Sequence, residues 1–169
     1  MRVLGIDPGT VTLGYGVVEE RAGELALVGC GALTAAHNMP LVQRLHHLYL
    51  GLLEVAERYR PTVAAIEEPF VAKNIHSALA IGQAMGMAII AMTEKSIPVY
   101  QYTPTQVKQA VSSYGRSSKE QVQEMVRIQL GLNSTPQPSD AADALAVALC
   151  HIQETHLAEV LRGEYRKGK

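Results

Sequence analysis

The chain has 169 residues, 47% apolar and 18% charged, and its 15 Lys and Arg nearly balance 16 Asp and Glu for a formal net charge of −1. At roughly 100 to 200 residues per domain this length excludes a two-domain enzyme, and the apolar content excludes a disordered polyelectrolyte. Near-neutrality neither announces nor forbids a nucleic-acid partner, so the placement of the charges has to decide.

Val3 to Ile6 form an apolar run that ends in Asp7-Pro8-Gly9-Thr10, the pattern of a buried strand followed by a turn. Leu13 to Val18 and Leu25 to Leu33 read as two more strands, joined by a polar hairpin turn over Glu19, Glu20, Arg21, Ala22 and Gly23. After Pro40 the spacing of Leu41, Leu45, Leu48, Leu52 and Leu53 predicts an amphipathic helix that stops near Pro61. Thr62 to Ile66 is a β-rich run ending in Glu67-Glu68-Pro69-Phe70, so a second carboxylate falls at a strand's end.

Asn74 is placed to cap a helix to about Lys95, in which Ala78, Leu79, Ile81, Met85, Met87, Ile89 and Ile90 leave little polar face. Such a helix must be buried nearly all round. Gly82 and Gly86 admit a close helix neighbour, and a domain of this size needs a second copy to cover what remains, so a homodimer through helix 74–95 is expected. Ile97 to Tyr102 predicts a fifth strand, and Thr103-Pro104 with Gln106 a capping box opening a short helix that carries Lys108. Ser117 and Glu120 predict a second box for a helix through Val122, Met125, Val126 and Leu130 to Gly131, with Lys119 in its first turn. Ser139 or Asp140 caps a last helix through Ala141, Leu145, Val147, Ala148 and Ile152. The domain is expected to span 1–158 and to leave 159–169 as a basic, flexible tail.

Met1 leads into a short apolar run without a basic leader, and no 18-residue apolar stretch is free of polar interruption, so a cytoplasmic location with no membrane is expected. Cys30 and Cys150 are isolated from each other and form no disulfide framework or thiolate zinc site. The six His show no tight ligand pattern, and His46, His47 and His151 read as surface or packing residues.

This order of elements is an α/β fold, a mixed five-stranded sheet flanked by helices. Only three aspartates occur in the whole chain: Asp7, Asp140 and Asp143. Asp7 and Glu67 end two strands, whereas Asp140 and Asp143 share one face of a helix's first turn. Should the strands be neighbours with that helix beside them, four carboxylates converge. Hard divalent cations need such oxygen ligands, and a pair of ions about 3.5 to 4 Å apart can clamp a phosphodiester for in-line attack by water. The ordinary alternatives are an N-cap at Asp140, a dipole-stabilising acid at Asp143 and a simple turn at Asp7. Glu67 is harder to explain in that way, because a carboxylate after a buried β-run is costly unless paired.

Gly5-Ile6-Asp7-Pro8-Gly9-Thr10, Ala65-Ile66-Glu67-Glu68-Pro69-Phe70 with Ala72-Lys73-Asn74, Gln106-Val107-Lys108-Gln109 and Asp140-Ala141-Ala142-Asp143-Ala144-Leu145-Ala146 resemble, in family order, the motifs of the RuvC crossover-junction endodeoxyribonucleases. The resemblance covers about residues 2 to 152. It implies an RNase H-like fold and a homodimer that resolves four-way DNA (Holliday) junctions in recombination and repair. Two symmetric nicks would be made with Mg²⁺ or Mn²⁺, two ions per site, alongside a branch-migration complex of RuvA and RuvB type. Carried over by motif, Asp7, Glu67, Asp140 and Asp143 are the metal-binding catalytic acids, with Asp7 bridging; some members have a His at the position of Asp140. The same resemblance implies DNA contacts by Lys73, Asn74, Lys108 and Lys119, and a base-stacking wedge at Phe70, the only Phe in the chain. From Lys95 to Arg127 five basic residues face two acidic ones, a local positive field.

Three other readings stay open at this stage. Actin-like ATPases also carry an Asp-x-Gly-Thr turn after a first strand, but their fold needs a second such turn and usually more than twice this length. A ribonuclease on the same fold shares the acids, and fold alone does not choose the substrate. A non-catalytic junction-binding module predicts that loss of Asp7 leaves function intact.

Overall fold

The computed structural model describes residues 1–69, 75–112 and 114–167. The chain runs β1 (Arg2–Asp7), β2 (Thr12–Arg21), β3 (Glu24–Thr34), α1 (Leu41–Tyr59), β4 (Val63–Glu67), α2 (Ile75–Glu94), β5 (Val99–Tyr102), α3 (Pro104–Ser112), α4 (Lys119–Gln129) and α5 (Ser139–Lys167). The five strands lie in the order β3-β2-β1-β4-β5, antiparallel from β3 to β1 and parallel from β1 to β5. This is the mixed sheet expected from the sequence, and helices cover both of its faces.

Alternation along the strands divides the core in two. Leu4, Ile6, Leu13, Val17, Ala64 and Ile66 point to α1 and α2 and pack on Leu48, Leu52, Ala88 and Met92. Val3, Val18, Val63, Ala65 and Tyr102 point the other way, to Val107 and Val111 of α3, Val122 and Val126 of α4, and the apolar length of α5. Both sides of the central strands are therefore buried. That is why the β1 and β4 sequences read as continuous apolar runs rather than alternating ones.

Several details differ from expectation. The β2–β3 turn is only Ala22-Gly23, with φ of 53° and 85°, and the flanking Arg21 and Glu24 are already paired across the ladder. A two-residue loop with both central residues left-handed matches strand twist, so the polar residues 19–21 are absorbed into the strand, where Glu19 pairs with Arg2 and Arg21. The capping box of α4 is Ser118 with Gln121, one residue later than Ser117 with Glu120. Ser117 is instead buried in the preceding loop, where its Oγ donates to the Tyr114 carbonyl at 2.9 Å. Two overlapping Ser-x-x-Glu/Gln patterns were available, and the loop claimed one of the serines. The helix α5 runs on through 159–167, the stretch read as a tail, and just before that stretch His156 Nε2 lies 2.8 Å from a carboxylate oxygen of Glu20 in β2.

Within one chain α2 is not buried all round. Ala84, Ala88, Ala91 and Met92 enter the core, but Ile75, Leu79 and Ile90 stay 73%, 61% and 62% exposed. It is also the one helix among the described residues that is long and apolar enough to cross a membrane. Its buried face is occupied by the domain's own core. Cys30 and Cys150 are free thiols, as read, and His151 is a packing residue whose Nδ1 lies 2.7 Å from the Tyr102 hydroxyl.

Candidate active site

Asp7 is the last residue of β1 and Glu67 the last of β4. These strands are adjacent and parallel with Ile6 opposite Ile66, so the next residue of each stands beside the other and on the same face. That face is the one covered by α5. Asp7 pairs across the β1–β2 ladder with Gly14, and Gly5 with Gly16. A Cβ built on Gly14 would lie 2.0 Å from the Asp140 carbonyl oxygen, and one on Gly5 1.9 Å from that of Ala144. On Gly16 it would meet the Leu145 backbone nitrogen at 2.8 Å. The backbone of α5 thus rests directly on a floor of glycines, which brings its first turn, with Asp140 and Asp143, over the ends of the two acid-bearing strands.

The acids feel one another. Burial, and after it the charges of Asp143 and Asp140, pushes the Asp7 carboxyl up to about 6, against the opposing effect of Lys119. Burial again, then Asp7 and Asp143, pushes Glu67 up to about 7, opposed by Lys108 and Lys119. Asp143 has partners of its own: Lys119 Nζ is 2.5 Å from its Oδ2, and Gln123 Nε2 donates to its Oδ1 at 3.3 Å. That bond and the surrounding acids hold the Lys119 ammonium above its ordinary range. Glu67, Asp143, Lys108 and Lys119 line a cavity of about 200 Å³ floored by Val107, Val122 and Ala146. A larger cavity of about 460 Å³ opens between β5 and the second half of α5, beside Tyr100, Tyr102 and His151. Charge rather than size singles out the smaller one as the candidate site, since crowded, partly desolvated carboxylates cluster at functional sites.

The donor set suits a hard divalent cation, because all four candidate ligands are carboxylates and two of them carry the signature of missing counter-charge. Among the described residues, no three His, Cys, Asp or Glu side chains stand close enough together to hold an ion as placed. The convergence expected from the sequence is thus electrostatic but not a closed cage, and Lys119 supplies counter-charge to Asp143.

Lys108 and Lys119 do flank the acids, while Phe70, Lys73 and Asn74 lie outside the described residues. The positive field expected over 95–127 is narrower than the count implied. Lys95 pairs with Glu57 at 2.5 Å and Arg127 with Glu124 at 2.7 Å, which leaves Lys108, and Lys119 in its pair with Asp143, lining the site. Sequence reasoning missed Gln123, although its spacing of four from Lys119 puts both on one side of α4. It also missed the roles of Gly14 and Gly16, for which the available signal was small residues in alternation within a strand.

Comparison with known proteins agrees with this architecture. The family model of the crossover junction endodeoxyribonuclease RuvC matches residues 3–151. The RuvC of Chloroflexus aggregans is 56% identical over 151 residues, 89% of this chain and 92% of that protein. Thermus thermophilus RuvC, solved in complex with a Holliday junction substrate, superposes with a TM-score of 0.87 at 40% identity, covering 94% of this chain and 96% of that one. The yeast mitochondrial Holliday junction resolvase, at 16% identity and a TM-score of 0.70, shares the fold. With a family model that spans nearly the whole sheet-and-helix core, and acids at the ends of β1, β4 and the start of α5, the chain belongs to the RuvC family of crossover junction endodeoxyribonucleases.

Proposed function

We propose that this RuvC-family endonuclease resolves four-way DNA junctions through Asp7, Glu67, Asp140 and Asp143, acting as metal-binding catalytic acids. The observation that carries the reading is the coupling of Asp7 to Asp140, Asp143 and Glu67 at the carboxyl ends of two neighbouring parallel strands. Asp7 stands in the field of all three others, which supports its assignment as the bridging ligand. Bound there, two Mg²⁺ or Mn²⁺ ions would supply Lewis-acid stabilisation of the attacking and leaving oxygens of the phosphodiester. Lys108 and Lys119 line the same cavity and neutralise the phosphate that approaches the acids. Phe70 as wedge, with Lys73 and Asn74 as DNA contacts, completes the proposal on the strength of their motif.

The exposed face of α2 supports a homodimer. Gly82 and Gly86 have no described atom within 4 Å of where a Cβ would sit, and Ile75, Leu79 and Gly82 border an open apolar hollow of about 420 Å³. A second copy seated there brings two active sites under one twofold axis, the symmetry that paired nicks in a four-way junction require. Work in recombination and repair beside a RuvA- and RuvB-type branch-migration complex, in the cytoplasm, follows from the same family reading.

The test is Mg²⁺-dependent cleavage of a mobile four-way junction beside linear duplex and RNA–DNA hybrid, with wild type and Asp7→Asn. Paired symmetric nicks in the junction alone, lost in Asp7→Asn while binding persists, are the expected result. A cut hybrid with an intact junction would move the substrate to RNA.

A further inference from the structure

Residues 114–118, ahead of α4 and its Lys119, are pinned by hydrogen bonds to one another and to α3. At the α3 end, Ser112 Oγ donates to the Lys108 carbonyl at 2.5 Å and lies 2.8 Å from the Oγ of buried Ser117. Ser117 Oγ in turn donates to the Tyr114 carbonyl at 2.9 Å. Ser118 then caps α4 through its box with Gln121. Gly115 folds back on α3, where a Cβ would meet Thr105 Cγ2 at 3.3 Å. From this pinned segment Tyr114 projects 60% exposed, and Arg116 is exposed without an ion pair or hydrogen bond to any described residue.

A lone exposed ring or a lone surface cation is ordinary. Here they are two residues apart, on a stiff support, between Lys108 and Lys119. An aromatic face beside free cations is how proteins hold nucleotides that have left the duplex stack. Arg116 is three residues from Lys119, so its backbone lies at most roughly 11 Å away. At 3.4 Å of rise per nucleotide along a strand, that is a span of about three nucleotides counted from Lys119, whose ammonium reaches Asp143.

We propose that Tyr114 and Arg116 form a second DNA contact that grips the strand being cut within about three nucleotides of the scissile phosphate. Tyr114 stacks on a splayed base and Arg116 holds the adjoining phosphate. The contact rests on the nuclease reading above and adds a source of specificity, since continuous duplex offers the ring no open base face. It is a positioning device and takes no part in breaking the bond.

The experiment uses the full-length protein carrying Asp7→Asn, so that DNA is bound but not cut, with four-way junctions bearing 5-iodouracil one to three nucleotides on either side of the cleavage position. Irradiation should cross-link the junction to Tyr114. In the same background Tyr114→Ala should weaken junction binding about tenfold while leaving linear duplex binding nearly unchanged, and Tyr114→Phe should restore it. Arg116→Gln should lower the salt dependence of binding by about 0.7 to 0.9 in logarithmic slope. A protein that cuts junctions with Asp7 intact, yet shows wild-type affinity in Tyr114→Ala and no cross-link at Tyr114, overturns this proposal alone. Wild type that neither binds nor cuts junctions overturns the nuclease reading with it.

Discussion

Gly14 in β2 and Gly82 in α2 are the same residue in opposite surroundings. Over Gly14 the space a methyl would need is already filled by the Asp140 backbone, whereas over Gly82 no atom of the described residues stands within 4 Å. The first half of α5, through Ile152, is enclosed by the sheet, α3 and α4, whereas α2, the more apolar helix along its length, presents Leu79 and Ile90 to solvent. A glycine filled from within the chain is a device for placing a helix, and through it the acids. A glycine left open on an apolar helix points to something outside the chain.

The sharpest way to break this comparison is to add side chains at both positions. Gly14→Val should cost at least about 3 kcal/mol in urea denaturation and abolish cleavage, because backbone rather than a flexible side chain must give way. Gly82→Ala should leave the isolated chain as stable or up to about 1 kcal/mol more stable, and weaken self-association in sedimentation. Equal destabilisation by both would remove the distinction.

Next in size is Leu79→Glu. It should lower dimer affinity by about 100-fold or more in sedimentation while far-UV circular dichroism stays as in wild type. Loss of fold instead would place that face inside the chain's own core.

A third prediction concerns the charges that α5 brings in. Asp7 and Glu67 are raised from their ordinary carboxylate values to about 6 and about 7 in the folded chain. Both are neutral in the folded and unfolded states at low pH, so their stabilising contribution is present below about pH 4 and lost as pH rises through 6 and 7. Without metal, Asp7→Asn should therefore stabilise the protein by about 1–3 kcal/mol at pH 8 and by nearly nothing at pH 4. Mg²⁺ should raise the melting temperature of wild type more than that of Asp7→Asn. If neither shift appears in thermal melts, the acids do not share a site.

The smallest effect expected is that of Gln123→Ala. Losing the neutral hydrogen bond that Gln123 Nε2 donates to Asp143 Oδ1 should weaken Mg²⁺ binding about fivefold in calorimetry, with folding stability changed by less than about 1 kcal/mol. Gln123→Glu, which adds charge beside Asp143 in place of a donor, should not rescue it. An unchanged Mg²⁺ isotherm in Gln123→Ala would reduce the residue to a surface side chain.

Much of this molecule was legible before any coordinates. The apolar runs ending in Asp7 and Glu67, the leucine spacing of α1 and the Thr103–Gln106 box were read to within a few residues. All of them are set by neighbours close in the chain. The ordered motifs gave the family and the fold. The α4 cap was misplaced by one residue because Ser117 and Ser118 offer equivalent local chemistry, and the choice lay with Ser112 and Tyr114 across the loop. The apolar content of α2 says that it must be covered, and the structure decides which face the domain's own core covers and which it leaves, Ala84, Ala88, Ala91 and Met92 inside and Ile75, Leu79 and Ile90 outside.

The sequence by itself determined which residues can carry the chemistry, since three aspartates and a strand-terminal glutamate are matters of composition and local pattern. Only the tertiary structure decided that Gly5, Gly14 and Gly16 seat α5 by its backbone, that Asp143 is held by Lys119 and Gln123, and that Asp7 and Glu67 resist ionisation. The physical reason is range. Periodicity, caps and turns are fixed within a few residues along the chain, whereas steric fit and electrostatic coupling are fixed by distance in space, and the residues that share this site stand more than 130 positions apart in sequence, from Asp7 to Asp143.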